Sequence, residues 1–197
     1  DKLSTLMPLS TPATKKRLTL YTESFISPIV IPDVTARIIE TDADISLLHL
    51  TADLNEQIII ELLNMRQADA VFSTFSVESA SLSCQKICDM RLVLAASQNN
   101  PLYGNTISEA QFRNANLVGY NTKNEKIIYH RSIVDKKFRT GERCLLTSSF
   151  TAILTIVSNT HCLGVIPERV FETHAHLYGL KKINTPFPLP QFSVFAS

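Results

Sequence analysis

Segments with strand character and segments with helical spacing alternate along nearly the whole of this chain, and that alternation restricts the fold more than any single motif. Strands are expected at residues 17–21 (RLTLY), 44–50 (DISLLHL), 68–73 (ADAVFS), 87–97 (ICDMRLVLAAS), 115–120 (ANLVGY), 142–149 (ERCLLTSS), 162–166, 180–184 (LKKIN) and 191–196 (QFSVFA). Between them lie helical stretches. Ile31, Val34 and Ile38 follow a Ser27 cap and Pro28, with Pro32 placed where it either delays or kinks the helix. Further helices are expected at 53–64, 107–114, around 124–138, and from Ser149 through Phe150, Ile153, Leu154 and Val157. Strand–helix alternation implies right-handed crossovers and a mainly parallel sheet covered on both faces.

The stretch TIVSNTHCLGVIPERV (155–170) shows the pattern at close range. A helix ends at Asn159–Thr160–His161, a short strand runs from Cys162 to Ile166, and Pro167 starts the next helix. The long strand at 87–97 followed by a fresh strand–helix series marks passage into a second lobe, and the last strand is placed to return to the first. The expected fold is therefore α/β, with two Rossmann-like lobes joined by two crossing strands. A linker covers 1–16, lobe I covers 17–94 and 191–197, and lobe II covers 95–190. Ligands of such folds lie at the carboxyl ends of the parallel strands.

Composition excludes several classes. With 45% apolar and 19% charged residues, the 197-residue chain can bury a core. Nineteen basic against eighteen acidic residues give a net charge of +1, which is not a surface built to grip phosphates. No apolar run approaches the ~20 residues that span a bilayer, so no membrane partner is expected. Cysteines at 84, 88, 144 and 162 lack two close pairs, so no zinc site is expected; they read as reduced, mostly buried side chains of a cytoplasmic protein.

Catalytic signatures are missing. There is no G-x-S-x-G, no P-loop and no H-E-x-x-H, and only five glycines are present. His174 and His176 form an H-x-H pair without a third ligand, and His161 reads as a structural or hinge residue. Asp69 reads as a cap or salt bridge at a strand start. No catalytic residue, metal or cofactor is assigned. What stands out is a set of Ser/Thr-rich turns at strand ends: YTESF (21–25), LTADL (50–54), FSTFS (72–76), YNTKNE (120–125) and LTSSF (146–150). At least two lead into helices, whose free N–H groups suit a small carboxylate or similar anion.

The order of segments resembles the effector-binding (co-inducer) domain of LysR-type transcriptional regulators, over about residues 17–197. LTLYTESFISPIVIPDVTARI is similar to that family's opening strand, polar turn and proline-containing helix. LNMRQADAVFS sits at its Leu-x-x-Gly-x-x-Asp-x-x-Ile run, with Gln67 in the glycine's place and Asp69 kept. RLVLAASQNNPL resembles its crossing strand, with Asn100–Pro101–Leu102 for His-Pro-Leu, and GLKKINTPFPLPQFSVFAS resembles its return strand. Asn159 to Gly164 stands where the family often has Ala-Gly-x-Gly, which is closer to the nodulation-regulator branch.

The resemblance implies a cytoplasmic domain that senses a small molecule, its effector unidentified, in a cleft between lobes. It also implies homodimers within a tetramer, and promoter DNA held by an N-terminal winged helix-turn-helix expected ahead of Asp1. Carried over by position, the effector-binding candidates are Thr22, Glu23, Ser24, Thr51, Ser73, Thr74, Asn121, Thr147 and Ser148. Glu23 departs from the pattern. A carboxylate at the pocket mouth, facing inward, opposes an anionic effector and suits a cationic or neutral one. The alternative reading is a solute-binding protein for transport with the same two-lobed fold.

Overall fold

A computed structural model describes residues 16–41, 44–121 and 144–197. The linker expected at 1–16 (apart from Lys16) and the helix expected around 124–138 lie outside the described residues. In chain order the elements are β1 (Lys16–Thr22), α1 (Ser27–Glu40), β2 (Ile45–Thr51), α2 (Glu56–Asn64), β3 (Ala70–Ser73), β4 (Gln85–Ser97), α3 (Glu109–Asn114), β5 (Leu117–Tyr120), β6 (Cys144–Thr147), α4 (Phe150–Asn159), β7 (Leu163–Pro167), α5 (Glu168–Tyr178), β8 (Leu180–Ile183) and β9 (Gln191–Ala196).

The strands form one curled sheet in the order β2-β1-β3-β9-β4-β7-β5-β6, with β8 also on β4. Its two ends are parallel: β1 pairs with β2 and β3, and β5 pairs with β6 and β7. The middle is antiparallel. β9 lies between β3 and the first half of β4, while the second half of β4 carries β7 and β8. The mainly parallel sheet expected from the alternation is thus corrected to a mixed one. Parallel pairing needs a crossover between neighbours; the two crossing strands instead run against every neighbour they meet.

Helices cover the sheet through their apolar stripes. Phe150, Ile153, Leu154 and Val157 of α4 pack with Met90 and Val93 of β4 and Ile166 of β7, in the cluster that also takes Phe25, Ile26, Ile29 and Val30 from α1 and the turn before it. A second cluster gathers Phe112 of α3, Leu94, Leu117, Leu163 and Phe187. The third lies beneath α2, around Ile59, Leu62 and Val71. Each removes apolar side chains from water, at about 25 cal/mol per Å² buried.

Helix ends explain where sequence reasoning succeeded and failed. Ser149 caps α4 by accepting from the Ala152 N–H, and Asn55 and Ser108 cap α2 and α3 in the same way. Ser27 does not cap α1. It is the first helical residue, and the Glu23 carbonyl accepts the Ile26 and Ser27 amides instead, at 3.0 and 3.2 Å. Pro32 neither delays nor ends that helix, which runs from Ser27 to Glu40 with Pro28 in its first turn. The cysteines at 84, 88 and 162 are free but half-buried rather than buried.

The turn after α2 closes the helix through its own backbone. Gln67 N–H reaches back to the Leu62 carbonyl at 2.9 Å and Arg66 N–H to Leu63 at 3.1 Å, the pair of bonds that closes a helix with one left-handed residue. That residue is Arg66, at φ 53°, not Gln67. An L side chain there costs about 1–2 kcal/mol, which glycine avoids while losing some chain entropy. Arg66→Gly is therefore expected to raise stability by about 0.5–1 kcal/mol, read as a higher urea midpoint at unchanged slope. Three residues after Arg66, Asp69 ties the start of β3 to β1: its carboxylate accepts the Thr19 N–H at 2.7 Å.

Candidate functional site

Parallel strands deliver their carboxyl ends to one place. Thr22 ends β1, Thr51 ends β2, Ser73 ends β3, Tyr120 ends β5 and Thr147 ends β6. The β1–β2 register sets Thr22 beside Thr51, and the β5–β6 register sets Tyr120 beside Thr147. The two groups meet through the turn after β1. Ser24 Oγ accepts the Phe150 N–H, the first amide of α4, at 3.3 Å. Its side chain also bonds the Tyr120 phenol. The Phe25 ring stands edge-on to Tyr120 at 5.1 Å between centroids.

The buried candidates are held tightly. Thr22 is fully buried and its hydroxyl is 2.8 Å from His49 Nε2. Glu23 is 2% exposed, and its Oε2 accepts both the N–H and the hydroxyl of Thr74, at 3.0 and 3.1 Å. Ser73, also buried, closes a local turn by accepting the Phe75 N–H at 3.1 Å. The remaining candidates stand at the rim. Thr51, Asn121 and Ser148 are exposed; Asn121 N–H extends the β5–β6 ladder to the Thr147 carbonyl at 2.8 Å, and Thr147 Oγ1 accepts the Ser149 N–H at 3.2 Å. Thr22, Glu23, Ser24, Ser73 and Thr74 are thus joined closely, while Thr51 is tied in only through the sheet.

Four neighbours escaped the sequence reading: Phe25, His49, Asp53 and Tyr120. Tyr120 lay inside a quoted turn, but only its place at a strand end could have marked it. Burial pushes its phenol above the ordinary tyrosine range, and the charges of Asp53 and Glu23 add to that rise. Burial also lowers the His49 imidazole below its ordinary 6.5, because a desolvated ring disfavours the charged form. The folded chain therefore resists a proton that the unfolded chain accepts. Stability conferred by neutral His49 is present above pH 6.5 and is lost as pH falls below it. Denaturant midpoints measured from neutral to mildly acid pH should show this loss, and His49→Gln should reduce it.

A polar knot follows the carboxyl end of β4. Asn100, buried, donates from Nδ2 to the backbone carbonyl of His161 at 3.3 Å and accepts the Leu102 N–H on Oδ1 at 2.9 Å. The His174 ring is bonded to Thr173 on α5. Among the described residues no group of three His, Cys, Asp or Glu side chains is placed to hold a metal, and no helix is long and apolar enough to cross a membrane.

Comparisons with known proteins agree with this geometry. The chain is 24% identical over 137 residues to YbdO, an uncharacterised HTH-type transcriptional regulator of Escherichia coli (strain K12); the match covers 70% of this chain and 46% of YbdO, so the chain spans about half of that relative. Its fold matches the probable transcriptional regulator PA0477 from Pseudomonas aeruginosa at a TM-score of 0.76 and 15% identity, over 93% of this chain and 61% of the other. It also matches the reduced regulatory domain of OxyR2 from Vibrio vulnificus at 0.70 and 14%, over 92% and 85%. The regulatory domain of MetR, a LysR family regulator from N. meningitidis, matches at 0.64 and 13%, over 92% and 83%. The family model described as the LysR substrate binding domain matches residues 13–197, and the chain belongs to that family, one of regulator domains rather than enzymes.

Proposed function

We propose that this domain is the sensing part of a cytoplasmic LysR-type transcriptional regulator. A small effector binds where the strand ends meet, against Thr22, Glu23, Ser24, Thr51, Ser73, Thr74, Asn121, Thr147 and Ser148. The observation that carries this reading is the convergence of five parallel-strand termini, bridged by Ser24 to the first amide of α4. Residues 17–94 with 191–197 form one lobe and 95–190 the other. An effector touching both favours one arrangement of the lobes by its differential affinity for the two. In a homodimer or tetramer that choice passes to DNA-binding heads, which are an N-terminal winged helix-turn-helix preceding this chain. The family match, rather than the fold, favours a regulator over a transport protein.

Thermal melts of this chain across a panel of small metabolites test the proposal. At least one compound is expected to raise the melting temperature in proportion to its concentration. Asn121→Ala and Ser148→Ala change exposed side chains and leave the fold intact. They should weaken that compound's binding about tenfold, about 1.4 kcal/mol. Unchanged affinity in both variants would place the effector elsewhere and overturn the site.

A further inference from the structure

The turn after β1 sends two adjacent side chains in different directions. Ser24 reaches across to α4, whereas Glu23 folds back beneath the β1–β3 edge. There a single carboxylate oxygen takes both polar hydrogens of Thr74, itself buried. Two converging donors shielded from water are the arrangement a carboxylate requires, because charge-assisted bonds offset the cost of desolvating it. A ligand's acid group arriving at this strand end would find that position filled by the chain's own.

We infer that Glu23 is a built-in acid group occupying the cleft's anion-accepting donors at Thr74, so that this site selects neutral or cationic effectors and excludes carboxylates. A free carboxylate would have to displace a tethered one, which needs no translational freedom to be given up on binding. It would also approach Asp53 and Glu23 together, whose charges are both felt at Tyr120. The selectivity rests on the effector reading above, but the pairing of Glu23 with Thr74 is testable with no effector in hand.

Glu23→Ala removes the atoms of one acetate ion and leaves its donors in place. The variant should melt below the wild type. Sodium acetate should restore several degrees, while sodium chloride at equal ionic strength and acetamide should not. Wild type should respond to none of the three. An alanine variant that melts like wild type, or that gains no more from acetate than wild type does, overturns the inference. Should the variant fail to fold even in acetate, the wild-type Thr74 amide decides between the outcomes by NMR. Its resonance should stay fixed through acetate and succinate titrations, and a saturating shift overturns the inference. Failure of every metabolite to bind would sink the effector reading alone and would leave the acetate result standing.

Discussion

Phe112→Ala is expected to lower stability by about 3–5 kcal/mol, the range for emptying a fully buried phenylalanine site. The ring is fully buried and stands edge-on to Phe187, with centroids 4.8 Å apart. It is the buried side chain of α3, a helix of six residues. A helix that short has little stability of its own and persists by what it packs against. Its capping box, in which Ser108 and Gln111 bond each other's amides, orders the first turn but does not hold it to the sheet. Urea unfolding reads the loss as a lower midpoint at nearly unchanged slope. A double-mutant cycle with Phe187→Ala should return a coupling of about 0.5–1.5 kcal/mol for the edge-on pair. A loss under about 1 kcal/mol for Phe112→Ala would mean that the ring's site collapses at little cost and that α3 is held by other contacts.

Gly164→Ala comes second. A methyl group on Gly164 would lie 2.5 Å from Val157 Cγ2, so α4 rides against β7 with no room for a side chain between them. Valine is stiff about its first torsion and turns aside only at a cost. Overpacking of this kind typically costs about 1–3 kcal/mol. Val157→Ala removes the obstructing methyl, so the double variant should be less destabilised than the sum of the two singles. The consequence reaches the candidate site. Lifting α4 from the sheet moves its first amide away from Ser24 Oγ, now 3.3 Å distant. Gly164→Ala should therefore also alter affinity for any effector that contacts α4, in a binding titration run below the variant's melting temperature.

Much of the architecture could be read from residue order, because strands and helices of this kind announce themselves by period and by caps. Ser149 was legible as a cap since a polar residue precedes apolar positions at helical spacing. The strand-end turns were legible for a similar reason: Ser and Thr cluster where the apolar runs stop. The sense of each strand was not, because apolar period is the same for parallel and antiparallel neighbours, and so β4 and β9 escaped. Ser27 misled because the Ile26 carbonyl accepts the Ile29 and Val30 amides that its hydroxyl was suited to take. The left-handed turn after α2 was not legible, because Arg66 sits where glycine would have marked it. Nor does sequence say which of two neighbouring polar side chains turns inward. The burial of Glu23 depends on Thr74, fifty-one positions along the chain.

The strand β4 also has a mechanical meaning. Its pairing passes from β9 to β7 between Arg91 and Leu92, so that one backbone belongs to both halves of the sheet. The chain crosses back only through residues 184–190, before β9 rejoins the first half. Pro186, Pro188 and Pro190 occupy alternate positions of that return, and each fixes its own φ. Of the two crossings, one is locked into ladders on either side and the other is stiffened by its prolines. Both crossings join the same two halves of the sheet, and the apolar core that α1 shares with α4 is packed across them, so the halves are held by covalent passage and by burial together.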